Sequence, residues 1–191
     1  MADLLVDGAA ATASTEPTRV PTQAQDAPHT EEETLTEAQR EEKLLLHDER
    51  SCIFETRVER AALCRDRGSA QFKLKQVARA IEWYERALYH VDFDEGTWHF
   101  EFLDSHRDAV NAVRLPVHLN LAMCYLGDGP SHDLAKVVEH ADLALVIDAK
   151  NAKALYRGGK AHLLTGNLDA ARKKLKLAAQ IQPNDKSIRE V

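Results

Sequence analysis

Aromatic side chains are scarce in this 191-residue sequence, at 6% of the total, and cysteine is scarcer still, with only Cys52, Cys64 and Cys124. Their odd number and the lack of any CxxC spacing exclude a disulfide framework and a zinc ribbon. No stretch approaches the roughly 18 consecutive apolar residues of a membrane span. The Met1 end has neither the basic start nor the apolar run of a secretory signal. A soluble protein of a reducing, cytoplasmic compartment is expected, with no membrane partner. Positive charge is also in deficit: 25 Lys+Arg face 31 Asp+Glu, for a net charge of −6. That excess is local, because residues 1–40 hold eight acidic groups against Arg19 and Arg40 and the rest of the chain balances. A neutral body without a Lys/Arg stripe offers a nucleic-acid backbone no electrostatic footprint, so no nucleic-acid partner is expected.

The length fits one domain with a tail. Residues 1–35 are Ala, Thr, Pro, Gln, Glu and Asp with almost no large apolar residue after Val6. Such a segment cannot bury enough surface to offset its conformational entropy, and it reads as a disordered acidic tail. Thr36 followed by Gln39 has capping-box spacing. Strong helix formers then run to Lys75, predicting one long helix or two abutting ones, with residues 36–54 as a helical extension. Downstream the apolar period is helical throughout and no alternating β-branched run appears, so the fold class is all-α. Asp104-Ser105 can cap a helix, and Pro116 is expected to start or kink one at Leu115.

Internal repetition organises the rest. Gly159 is followed by Ala171, Leu175, Ala178 and Pro183 at offsets 12, 16, 19 and 24. These are the small, small, large, small and proline positions of a 34-residue tetratricopeptide (TPR) repeat. Two antiparallel helices cross closely only where small residues face each other and large ones fill the space beside them. Gly68, Ala80, Tyr84 and Ala87 repeat the offsets 12, 16 and 19. Ala122 takes the small position of a middle repeat whose second helix carries Val137, Ala141 and Ala144. A three-repeat TPR helical solenoid follows, over residues 55–185. Repeat 1 is expected at about 61–92, an insertion at 92–107, repeat 2 at about 108–150 and repeat 3 at 151–183. Residues 184–191 would begin a capping helix.

The segments RDRGSAQFK at 65–73, RLPVHLNLAMCYL at 114–126 and NAKALYRGGKAHLL at 151–164 resemble the three-repeat domain of the FK506-binding immunophilin co-chaperones and the aryl-hydrocarbon-receptor-interacting protein. The bare repeat domain is also similar to the tetratricopeptide repeat protein 9 family. The isomerase domain of the immunophilins would need on the order of a hundred residues and finds no room in the sequence. The resemblance implies a carboxylate clamp that grips the C-terminal Glu-Glu-Val-Asp (EEVD) of Hsp90 and Hsp70 chaperones. Carried over residue by residue, the clamp falls at Arg65, Ser69, Asn120, Lys153 and Arg157. The family usually has Lys where Arg65 stands and often Asn where Ser69 stands. Phe72 and Met123 would give the peptide apolar contact.

Spacing alone supports a shared face. Arg65 and Ser69 are i,i+4, as are Lys153 and Arg157, while Asn120 and Met123 are i,i+3. Stacked first helices bring such faces into one groove, where charge-assisted hydrogen bonds of roughly 1.5–3 kcal/mol each can hold a terminal carboxylate. The nine histidines show no HExxH or Cys/His ligand spacing, and no GxSxG, phosphate loop or dinucleotide fingerprint appears. They are expected to be surface or hydrogen-bonded groups. Cys64 and Cys124 are expected to be buried small hydrophobes. Neither a catalytic residue, a metal site nor a cofactor is expected, and the function read from the sequence is that of a non-catalytic adaptor. Two alternatives stand beside it. One is a scaffold for a non-chaperone partner or client, using the convex surface or the insertion around Trp98, Phe100 and Phe102. The other is the targeting part of a prolyl isomerase whose catalytic domain lies elsewhere.

Overall fold

A computed structural model describes residues 36–191; the expected acidic tail at 1–35 lies outside the described residues. Among the described residues there is no strand. The helices are α1 (Glu37–His47), α2 (Phe54–Lys73), α3 (Val77–His90), α4 (Asp104–Leu126), α5 (Leu134–Ile147), α6 (Ala152–Leu164), α7 (Leu168–Ile181) and α8 (Lys186–Arg189). Side-chain caps start the later ones. Asp133 accepts from the Ala135 and Lys136 N–H groups, Asn151 from Ala154, Asn167 from Ala170, and Asp185 from Ser187 and Ile188. Each cap satisfies a helix donor that would otherwise lack a partner, worth about 1 kcal/mol.

The repeats are the antiparallel pairs α2/α3, α4/α5 and α6/α7, and the first helices α2, α4 and α6 pack against one another in turn. The small residues sit where the offsets require. A Cβ added at Gly68 would lie 2.7 Å from Tyr84 Cε1, and one at Gly159 2.7 Å from Leu175 Cγ. In both repeats the bare glycine lets the large residue sixteen positions later lie flat against the helix. Trp83, Tyr84, Val117, Leu121 and Val137 are buried in one core shared by the first two repeats. A smaller cluster of Ala152, Leu155, Ala178 and Ile188 closes the third.

Element boundaries depart from the expected ones. The N-terminal extension is helical only over Glu37–His47, and α2, the first helix of the first pair, starts at Phe54. The expected insertion contains a π-helical turn, Thr97–Glu101, and α4 already starts at Asp104. Its first turn is closed by an imidazole: the Leu103 N–H donates to His106 Nδ1 at 3.3 Å. Pro116 does not start a helix but lies inside α4, which runs 23 residues. A proline removes one N–H, here the donor for the Ala112 carbonyl, and the flanking turns held by Val113, Val117 and Leu121 in the core carry the helix through. Phe54, Phe93 and Phe102 meet edge-to-face or tilted at 4.7–5.8 Å and seal the insertion to α2. Phe100, by contrast, is 90% exposed.

Candidate functional site

The three first helices each present part of the expected site. On α2, Arg65 is half-buried and turned sideways, its Nε and Nη2 donating to Asp66 Oδ1 at 3.0 and 2.8 Å. Its charge is therefore already paired. Ser69, one turn on, donates its hydroxyl to the Arg65 carbonyl at 3.0 Å and accepts from the Tyr84 hydroxyl at 3.2 Å. Phe72 is half-buried and leans on the core of the first two repeats. Tyr84 reaches this place because Gly68 lets its ring pass.

On α4, Asn120 stands near the Tyr84 hydroxyl, where with Ser69 it opposes the upward push that burial gives that group's pKa. The Leu119 carbonyl beside it accepts from Arg157 Nη1 at 2.5 Å, tying α6 to α4. Burial pushes the Arg157 guanidinium below its ordinary pKa, with Cys124 and Tyr156 nearby opposing part of that fall. The same cause raises the Cys124 thiol to about 11. Lys153 is exposed and has no ion pair among the described residues.

The structure brings Met123, Lys153 and Arg157 together in one cleft of about 220 Å³, whose remaining walls are Tyr156 and the C-terminal residues Gln182, Asp185, Ser187 and Ile188. Arg65, Ser69, Phe72 and Asn120 do not line it. Ser69 bonds instead to the Tyr84 hydroxyl. Two contributions escape sequence reasoning. Asp185 places a carboxylate on the wall of a cleft otherwise marked by cations, and Ile188 is 7% exposed, plugging its base. The Tyr84 hydroxyl had a signal, the Gly68–Tyr84 offset, which pointed to packing and not to polarity.

A larger cleft of about 680 Å³ lies among α3, α4 and α5, where Trp98 and the exposed Val146 and Leu143 sit. Part of its charge is engaged internally. Arg50 pairs with Asp92 at 3.3 Å, Glu85 accepts from Tyr125, and Arg114 stacks under Trp98 while donating to the Val91 carbonyl. The smaller cleft, by contrast, holds Lys153, which has no ion pair among the described residues.

The histidines divide. His118 is buried and pairs with His140, whereas His90 is fully buried with both ring nitrogens lacking a partner, so it is neither a surface nor a hydrogen-bonded group. Cys64 and Cys124 are buried. Among the described residues no group of three or more His, Cys, Asp or Glu could hold a metal ion, and no helix is long and apolar enough to cross a membrane.

No protein-family profile matches the chain. The peptidyl-prolyl cis-trans isomerase FKBP4 of Mus musculus is 30% identical over 131 residues, covering 69% of this chain and 27% of that protein. The chain thus spans about a quarter of that relative's length. Among solved structures, the C-terminal TPR-containing domain of a putative FK506-binding protein from Plasmodium falciparum superposes with a TM-score of 0.64 at 31% identity, covering 76% of this chain and 89% of that one. The first TPR domain of Spaghetti (RPAP3), solved with the HSP90 peptide SRMEEVD, shares the fold at a TM-score of 0.52 and 18% identity, over 68% of this chain and 85% of that one.

Proposed function

Since this chain belongs to the family of TPR domains carried by FK506-binding immunophilins, we propose that it is a non-catalytic co-chaperone adaptor whose inner face binds the C-terminal EEVD peptide of Hsp90- or Hsp70-class chaperones. The observation that carries this is the cleft in which the unpaired Lys153 and the tethered Arg157 stand beside the half-exposed Met123. A terminal Asp presents two carboxylates. Lys153 supplies a mobile ammonium for one, and Arg157, anchored through Nη1 on Leu119, keeps the rest of its fork for the other. Met123 and Ile188 give apolar contact for a Val or Met of the peptide. Asn120 adds a directional donor, and Arg65 contributes once its guanidinium turns from Asp66. A few charge-assisted bonds of ~1.5–3 kcal/mol, less the ordering cost, amount to about micromolar binding, near −8 kcal/mol. The Spaghetti domain, which holds such a peptide on the same fold, supports the reading.

The test is calorimetric titration with a peptide ending Met-Glu-Glu-Val-Asp, beside its amidated form and beside Lys153→Ala protein. Micromolar binding that is lost with the amidated peptide and weakened at least about tenfold in Lys153→Ala supports the clamp; folded protein that ignores the free-acid peptide sinks it. A second reading keeps the fold and moves the partner to the outer cleft. It is favoured by Val146, 85% exposed on a helix whose other face is buried. Binding there would be insensitive to salt, whereas clamp binding weakens as screening rises.

A further inference from the structure

The insertion between the first two repeats is tightly braced, yet it holds two large apolar side chains in water. Asp94 accepts from both the Thr97 N–H and the Thr97 hydroxyl, at 2.9 and 2.7 Å, where the π-helical turn begins. Arg107 reaches back from α4 and donates to the Trp98 carbonyl at 3.0 Å, the His99 carbonyl at 3.3 Å and Asp104 Oδ1 at 2.8 Å. Phe102 packs on Phe54 and Phe93. Held between these anchors, Phe100 is 90% and Leu103 65% exposed, and neither lines the cleft of Lys153 or that of Trp98. They are three residues apart, so their Cα atoms lie within about 11 Å of each other.

Neither side chain serves the fold. Phe100 buries almost nothing. Leu103 stands at the N-cap of α4, where Ser, Thr, Asp or Asn is favoured, and makes no side-chain cap bond; His106 closes the turn in its stead. Apolar groups already fixed in solvent lose little conformational freedom on docking, as a preorganised contact surface requires. The surrounding charge selects the partner. Residues 92–104 carry five exposed carboxylates, Asp92, Asp94, Glu95, Glu101 and Asp104, and neither Lys nor Arg. Arg50 pairs with Asp92 and Arg107 with Asp104, which leaves Asp94, Glu95 and Glu101 in excess. Like charge opposes a symmetric pairing of two copies through this turn, and also its approach to an anionic membrane. We propose that the insertion turn is a second docking element, in which Phe100 and Leu103 enter an apolar groove rimmed by Lys or Arg on a partner protein. The inference does not use the clamp; together the two surfaces would join a chaperone tail to a second, basic protein.

The probes are three synthetic helical peptides with one leucine face and an opposite face of Lys, Glu or Gln. The full chain is expected to bind the Leu/Lys peptide and to ignore the Leu/Glu one. Phe100→Ser should weaken Leu/Lys binding about thirtyfold or more, as loss of an aromatic anchor does at an interface. Glu101→Lys should weaken it several-fold, with the difference shrinking in high salt. Leu103→Asp separates docking from folding: binding should fall about tenfold while the melting temperature rises by a few degrees, because Asp caps a helix and leucine does not. A melting temperature lowered by Leu103→Asp would place that side chain in the fold and overturn the proposal. So would Leu/Lys binding that Phe100→Ser leaves unchanged, equal binding of all three peptides, or binding of none. Phe100-dependent dimerisation in sedimentation, or Phe100-dependent binding to phosphatidylcholine vesicles, would assign the turn to a second copy or to a lipid surface and equally overturn it.

Discussion

His118 Nδ1 lies 3.2 Å from His140 Nδ1, joining α4 to α5 across the second repeat. Two ring nitrogens at that distance share one proton, so one imidazole donates and the other accepts, and the two rings cannot both be charged there. Burial pushes His118 down to about 4, with His140 and Arg114 adding to the fall. His140 is lowered by burial too, against opposing Glu139 and Glu85. His90 is also pushed to about 4, by burial first and then by Arg86, Arg60, Arg50 and Arg57 around it. A base whose folded pKa lies below its unfolded value stays neutral in the fold while the unfolded chain takes up protons. Stability is therefore full above about pH 6.5 and falls as pH drops toward 4, by up to about 3 kcal/mol for each fully buried group. Urea midpoints at pH 7.5, 6.0 and 5.0 should decline in that order, and the slope should be shallower in His118→Leu. Equal midpoints at all three values would contradict the buried neutral pair.

Charge in the small cleft has two opposing effects. Lys153→Ala removes its unpaired cation and should weaken binding of an acidic C-terminal peptide at least about tenfold, the value of one charge-assisted bond. Asp185→Asn keeps the helix cap, since Asn caps as well as Asp, but removes the like charge from the wall. Affinity should rise about two- to threefold at low ionic strength and return to the wild-type value in high salt. Titration calorimetry of both variants at two salt concentrations reads this out; weaker binding by Asp185→Asn would show that the carboxylate faces a ligand cation.

Gly159→Ala tests the packing of the last repeat. Alanine gains about 1 kcal/mol in helix propensity, but the new Cβ would stand 2.7 Å from Leu175 Cγ, an overpacking that costs about 1–3 kcal/mol. A net loss and a melting temperature lower by a few degrees are expected. Gly129→Ala, with nothing within 4 Å of the added carbon, should change little.

Thiol chemistry should separate the cysteines. Cys64 and Cys124 are buried and their thiols are raised to about 11 by burial, whereas Cys52 is exposed. At pH 8 native protein should react with Ellman's reagent at one thiol quickly and at all three only in denaturant. Fast reaction of a second thiol in native protein would mean that the core of the first two repeats opens readily.

The sequence pattern that proved most informative was steric. Gly68 with Tyr84 and Gly159 with Leu175 could be read as close approaches, and the structure has both. What escaped was set by tertiary contact or by groups outside the usual signals. The start of α4 was legible near Asp104-Ser105, but not the imidazole of His106 that closes its first turn, and its passage through Pro116 depends on core anchoring on both sides. At the site, residue type and helical face were legible for Met123, Lys153 and Arg157, which do share a cleft. The partner of Arg65 was not, because an i,i+1 ion pair forms only when both side chains bend along the surface. Nor could spacing show that the Ser69 hydroxyl accepts from Tyr84, a residue on another helix.

The final helix of the described chain is four residues long, anchored by Ile188 in the cluster beneath α6 and α7. A single turn has no stability of its own, so it opens and closes with that one side chain as its latch. Because the latch is also a wall of the cleft containing Lys153 and Arg157, fraying of the C-terminal turn and loss of the binding surface are one event. An occupant of that cleft would act as a splint for the third repeat, slowing amide exchange not only in α6, which it touches, but also in α7, which does not line the cleft.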